Sequence, residues 1–148
     1  MKKNEPDTCI QYGALPFARD DGGAVRIMLV TSRETKRWII PKGWPLKNRP
    51  PHGTAAREAY EEAGLVGRIG ERSIGTYRYE KRLKHQRSVT CAVDVFPLEV
   101  ERQLKKWPEK AERDCRWFSP TEAAAAVDEE ELSRIIASLG EQAVPVPA

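Results

Sequence analysis

The sequence predicts an α/β domain. Short apolar or alternating runs at residues 9–17, 25–31, 73–79 and 88–96 read as strands, whereas the segments ending near Ala63, following Ser119 and covering residues 129–138 carry helical composition. At 148 residues the chain is long enough for a real core and too short for two full ones, so one domain over residues 9–140 is expected, with flexible ends at 1–8 and 141–148.

The elements follow in order. Residues 9–17 and 25–31 flank the turn-rich Arg19-Asp20-Asp21-Gly22-Gly23, which is the pattern of a hairpin. Arg37-Trp38-Ile39-Ile40 makes a short strand stopped by Pro41, and residues 42–53, with three prolines and two glycines, form a loop. A helix then runs to Ala63 from either Pro51, as a first-turn proline, or Thr54, as an N-cap; Gly64 is its C-terminal cap. Ala55, Ala56, Ala59 and Ala63 give it a small-residue stripe for close packing on a sheet.

Beyond it, residues 73–79 and 88–96 form two strands, the second with Val89, Cys91, Val93 and Val95 on alternate positions, joined by a basic connector at 80–87. Arg116-Trp117-Phe118 is a last short strand. Ser119 and Glu122 have the spacing of a capping box for an alanine-rich helix, and a final helix covers 129–138.

Composition narrows the class. The chain is 40% hydrophobic and 32% charged, with no apolar run long enough to span a bilayer. Its first residues lack the apolar core of a secretion signal, so a cytoplasmic setting is expected by default. Cys9, Cys91 and Cys115 are odd in number and far apart, which fits neither a disulfide framework nor a zinc ribbon; small core or surface roles are expected. A formal charge of +3 is too mild to mark a nucleic-acid binder, although the basic residues cluster.

The chemistry concentrates in Arg57-Glu58-Ala59-Tyr60-Glu61-Glu62-Ala63-Gly64-Leu65. On a helix of about 3.6 residues per turn, positions 58, 61 and 62 fall within an arc of roughly 100°. Three carboxylates so placed repel one another unless a cation joins them, and oxygen ligands suit a hard divalent ion such as Mg2+ or Mn2+.

Together with Gly43 upstream, this run resembles the Nudix box, the signature of hydrolases that cut nucleoside diphosphates linked to another moiety. All but one of the specified positions from Gly43 to Leu65 match; the exception is Arg49, where the family pattern has a glutamate. The resemblance implies the Nudix fold, a mixed β-sheet sandwiched between helices (α/β/α). It also implies that Glu58, Glu61 and Glu62 hold the metal, with the Gly43 carbonyl as a further ligand, and that Arg57 orients the carboxylates. The nucleophile would be a water activated by the metal, with a glutamate as base. A glutamate outside the box often serves this family as base or ligand; of Glu109 and Glu112, Glu112 is the expected one.

Substrate choice rests on the basic residues. Ser32-Arg33, Arg37-Trp38-Ile39-Ile40-Pro41, Lys84-His85 with Arg87, and Arg116-Trp117-Phe118 are similar to segments of the diphosphoinositol polyphosphate phosphohydrolases, which implies that Arg33, Arg37, Lys42, Lys84, His85 and Arg87 bind substrate phosphates. Pro41-Lys42-Gly43-Trp44 departs from the triple glycine of that group and is similar to hydrolases of diadenosine polyphosphates. Trp38 and Trp44 flank the box as candidates to stack a base. The expected partner is therefore a small-molecule polyphosphate, not a membrane, and no nucleic acid beyond an RNA 5′ end. An RNA 5′-pyrophosphohydrolase, an ADP-ribose-type pyrophosphatase and a non-catalytic nucleotide-binding module are the competing readings.

Overall fold

Alternation along single strands decides the architecture. In β2 (Val25–Thr31) Ile27 and Leu29 join one apolar cluster while Met28 and Val30 join another. In β1 (Thr8–Arg19) Leu15 and Ala14 divide the same way, as do Val95 and Phe96 of β7 (Ser88–Gln103). Successive side chains of a strand point to opposite faces, so a sheet whose strands are apolar on both faces must be covered on both. The computed structural model describes residues 8–142; of the ends expected to be flexible, 1–7 and 143–148 lie outside the described residues.

The sheet is mixed and eight-stranded among these residues. Its main path runs from β3 (Trp38–Ile39) through β2, β1 and β7 to β5 (Leu65–Ile69), with β4 (Lys42–Gly43) on β1, β6 (Gly75–Arg82) on β7 and β8 (Cys115–Phe118) on β2. β1 and β7 run parallel in register from Thr8 opposite Thr90 to Phe17 opposite Glu99, and the other pairs are antiparallel.

Helix α1 (Pro51–Ala63) covers one face, with Ala55, Ala59 and Ala63 fully buried against Ala14, Met28, Phe96 and Leu98. Helices α2 (Pro120–Ala126) and α3 (Glu130–Gln142) cover the other with Ala123, Leu132, Ile136 and Leu139. The expected α/β/α sandwich is the observed one. No helix among the described residues is long and apolar enough to cross a membrane.

Several boundaries differ from expectation for identifiable reasons. Residues 42 and 43, expected in a loop, pair with Gly13 and Tyr12 as β4. β7 continues past Pro97, because that residue uses its carbonyl rather than a missing N–H, accepting from Gly70 N at 2.8 Å. The first part of the basic connector belongs to β6, leaving residues 83–87 as the turn, with His85 and Gln86 at φ 62°. Helix α3 runs to Gln142, beyond the expected end.

Of the two starts the sequence allows for α1, the structure takes Pro51. Thr54 is instead buried, and its Oγ1 accepts from Leu46 N at 3.2 Å, tying the preceding loop to the helix. Gly64 caps the helix at φ 68°, where a side chain would run into the Trp107 ring. Ser119 and Glu122 form the expected reciprocal capping box at 3.1 Å in both directions.

The cysteines correct an expectation. Cys9 and Cys91 lie opposite each other on the parallel β1–β7 pair, 4.5 Å apart at Cα, and form a disulfide. The spacing of 82 residues conceals a pairing that only the sheet creates. Cys115 is a free thiol.

Candidate active site

The site begins with the pairing of β4 to β1, which carries the backbone of Gly43 against Glu58 of α1. A Cβ at position 43 would lie 2.5 Å from the carboxyl carbon of Glu58 and 2.8 Å from its Oε1. Glycine at this position thus lets the carboxylate approach the main chain closely, and any larger residue would push the Glu58 carboxyl aside. Glu62, one turn further on, is only 3% exposed, and its Oε1 is buried with no hydrogen-bond donor.

Burial pushes the Glu62 carboxyl up to about 8, although Arg113 and Lys42 pull it down. Burial also raises the Glu58 carboxyl, and a hydrogen bond from Glu62 works the other way. Lys42 lies half-buried beside them; desolvation pushes its ammonium down to about 8 against the pull of Glu62 and Glu129, and Nζ lies 4.8 Å from the Tyr79 ring centroid.

Glu61 does not join this pair. It accepts from Arg57 Nε at 2.7 Å, the ion pair expected from their spacing. Among the described residues no three His, Cys, Asp or Glu side chains close up around one point. Repulsion and burial account for the arrangement: without a metal ion between them, the Glu58 and Glu62 carboxyls are pushed up in pKa and Glu61 turns to Arg57.

Two features nevertheless fit these side chains to a divalent ion. The buried Glu62 Oε1 is an acceptor without a donor, and the Gly43 cradle holds Glu58 where only a glycine leaves room.

A second group closes the site from the loop before β8. Arg113, its side chain 9% exposed, donates from Nε to Glu109 Oε1 at 2.8 Å and from Nη1 to the Thr31 carbonyl at 3.1 Å. The same Nε lies 3.8 Å from Glu62 Oε1, an ion-pair distance too long for a hydrogen bond. The loop is fixed to the end of α1, since Glu109 N donates to the Glu61 carbonyl at 2.9 Å and Gln103 Nε2 to that of Ala63 at 2.9 Å. These contacts satisfy carbonyls that a helix end leaves unpaired.

Lys42, Gly43, Glu58, Glu62, Glu109 and Arg113 face a cleft of about 890 Å3, whereas Arg57 and Glu61 are not in its lining. Of the residues singled out by sequence, Arg33, Arg37, Lys42, Gly43, Glu58 and Glu62 line it, and so does Trp44, which is 50% exposed. Trp38 instead packs edge-on against Phe118 at 5.1 Å. Glu112 does not line the cleft; it is 47% exposed and accepts from Arg33 Nη1 at 3.2 Å, while Glu109 is in the lining. Lys84, His85 and Arg87 stand on the β6–β7 turn, just past the cleft-lining Lys81 and Arg82.

Sequence reasoning passed over Arg113, Asp128 and Glu129. Asp128 and Glu129 both accept from Arg37 Nη1, at 3.0 and 3.1 Å. The Glu109–Arg113 spacing of four residues was the available signal for the first; the link from residue 37 to residues 128 and 129 has none.

The charges in the lining nearly balance. Arg33, Arg37, Lys42, Lys81, Arg82 and Arg113 face Glu34, Glu58, Glu62, Glu80, Glu109, Asp128 and Glu129.

Comparison with known proteins agrees with this fold. Diphosphoinositol polyphosphate phosphohydrolase 3-alpha of Mus musculus is 33% identical over 99 residues, 66% of this chain and 56% of that protein. Nudix hydrolase 21, chloroplastic, of Arabidopsis thaliana is 30% identical over 117 residues, 78% of this chain and 55% of the relative. The chain thus spans little more than half the length of these relatives. Among solved structures, a C. elegans Ap4A hydrolase binary complex shares the fold with a TM-score of 0.66 at 17% identity, over 90% of this chain and 96% of that one. The family model described as NUDIX domain matches residues 11–139, and by that match the chain belongs to the Nudix family.

Proposed function

We propose that this protein, acting as one domain over residues 9–140, hydrolyses a phosphoanhydride bond in a polyphosphorylated small molecule. The observation that carries the reading is the Gly43 cradle, with Glu58 pressed against it and Glu62 buried beside it. A pure binding module gains nothing from holding together two carboxyls that repel each other, one of them buried.

Glu58, Glu61, Glu62 and the Gly43 carbonyl would hold Mg2+ or Mn2+. When bound, such an ion neutralises phosphate oxygens and lowers the pKa of water. Arg57 fixes the rotamer of Glu61 through their 2.7 Å contact. Glu109, in the cleft and held by Arg113, is better placed than the rim residue Glu112 to take a proton from attacking water. Arg33 and Arg37 receive the substrate phosphates by exchanging carboxylate partners for phosphate oxygens, and Lys42, which lies over the Tyr79 ring, adds a third cation.

The near-neutral lining favours a dinucleoside polyphosphate over a fully phosphorylated inositol ring, and exposed Trp44 offers a face on which a base can stack. The diphosphoinositol reading is supported by the Mus musculus relative and by Lys84, His85 and Arg87 next to the cleft. A cytoplasmic setting fits either soluble substrate.

The test is a screen of diadenosine polyphosphate, diphosphoinositol polyphosphate, ADP-ribose and 5′-triphosphorylated RNA for phosphate or nucleotide release, with Mg2+ and with EDTA. Metal-dependent turnover, fastest on the dinucleotide, is expected. Tight binding of any of these without turnover would replace the enzyme by a sensor.

A further inference from the structure

Arg113 places a fixed positive charge inside the carboxyl cluster. It is buried, it donates to Glu109 and to the Thr31 carbonyl, and it stands 3.8 Å from the otherwise unpartnered Glu62 Oε1. Thr31 is itself locked to the next residue of the loop, through Asp114 N to Thr31 Oγ1 at 2.9 Å and Thr31 N to the Asp114 carbonyl at 3.0 Å. The guanidinium is therefore anchored by one carbonyl besides the carboxylates, and that carbonyl belongs to a residue itself tied to the loop, so the guanidinium cannot swing away without breaking the Thr31 bond.

We propose that Arg113 is a resident counter-cation: it neutralises the Glu62–Glu109 side of the cluster in place of a divalent ion, and thereby weakens and limits metal binding before substrate arrives. This rests on the reading of Glu58 and Glu62 as metal ligands. A cation in ion-pair range of a carboxylate opposes a second cation at the same oxygen, most strongly in a buried site where solvent screens little. Arg113 is thus a positioning residue that sets the affinity of the carboxylates around it.

Mn2+ titration of the whole protein without substrate, followed by electron paramagnetic resonance, tests it. Arg113→Met is expected to bind Mn2+ about tenfold more tightly than wild type, or to take up an additional ion; Arg113→Lys, which keeps the charge, stays within about threefold. In EDTA, Arg113→Met should melt lower than wild type and recover when Mn2+ is added, which a purely structural role would not produce. Arg113→Gln keeps an amide donor toward Glu109 and Thr31 and carries the same expectation if the methionine variant does not fold. Equal or weaker Mn2+ binding in the neutral variants, or failure of both to fold even with Mn2+, overturns the proposal. If wild type and all variants alike bind no Mn2+, the metal reading itself falls, and this inference with it.

Discussion

The α carbon of Gly43 and the carboxyl group of Glu58 touch, so that a Cβ would sit 2.5 Å from the glutamate's Cδ. Gly43→Ala should therefore displace Glu58 while leaving the β4–β1 pairing and the helix intact. A loss of about 10²-fold or more in kcat/KM is expected, in line with a displaced reacting group, with melting changed by only a few degrees. Assay and thermal unfolding of the same preparation check this, and unaltered turnover would remove Glu58 from the machinery.

Glu62→Gln should have opposite effects on activity and stability. Turnover should fall by several orders of magnitude. The metal-free fold, relieved of a buried ionisable acid, should gain about 1–3 kcal/mol at pH 8. The sign follows from linkage: the folded-state pKa of Glu62 is raised from 4.5 to about 8, so its contribution is complete below 4.5 and is lost as the pH rises through 8. Lys42, lowered from 10.5 to about 8, contributes above 10.5 and loses that contribution as the pH falls through 8. Wild type in EDTA should accordingly lose stability between pH 5 and 8, and Glu62→Gln should lack that decline; parallel pH curves for the two would refute the assignment.

Glu109 and Glu112 can be separated directly. Glu109→Gln is expected to cost about 10²–10⁴ in kcat, the range for loss of a general base, whereas Glu112→Gln, which releases only an exposed pair with Arg33, should stay within a few-fold. Equal effects at both positions would place the base elsewhere.

The disulfide gives a chemical count. Denatured without reductant, the protein should show one thiol, Cys115, and after reduction three. Glutathione and thioredoxin in a cytoplasm act against such a bond, so the same count on protein prepared from cells under thiol-blocking conditions also reports the compartment. Three thiols in both states would show Cys9 and Cys91 to be reduced neighbours.

The helices and long strands were legible because their signals are local: the Ser119–Glu122 box, the Gly64 cap and the alternation in β7 each lie within a few residues. β4 was not, since two residues of Lys-Gly have no strand pattern and acquire one only from β1. In the site, Glu58, Glu62 and Gly43 could be read from a fixed spacing. Arg113 left only the four-residue spacing to Glu109 as a signal, because its other partners, Thr31 and Glu62, are far away in sequence. Glu61 shows the converse: helical spacing gives the direction of a side chain but not which neighbour, ion or arginine, will claim it.

The main-chain and side-chain bonds from Gln103, Leu104 and Glu109 to the last carbonyls of α1 and to Gly64 have an evolutionary consequence. They set the offset between the two halves of the site largely through backbone atoms, so most substitutions at 105, 106 and 108 leave it unchanged. That stretch can drift in sequence without disturbing the register of the chemistry beside it.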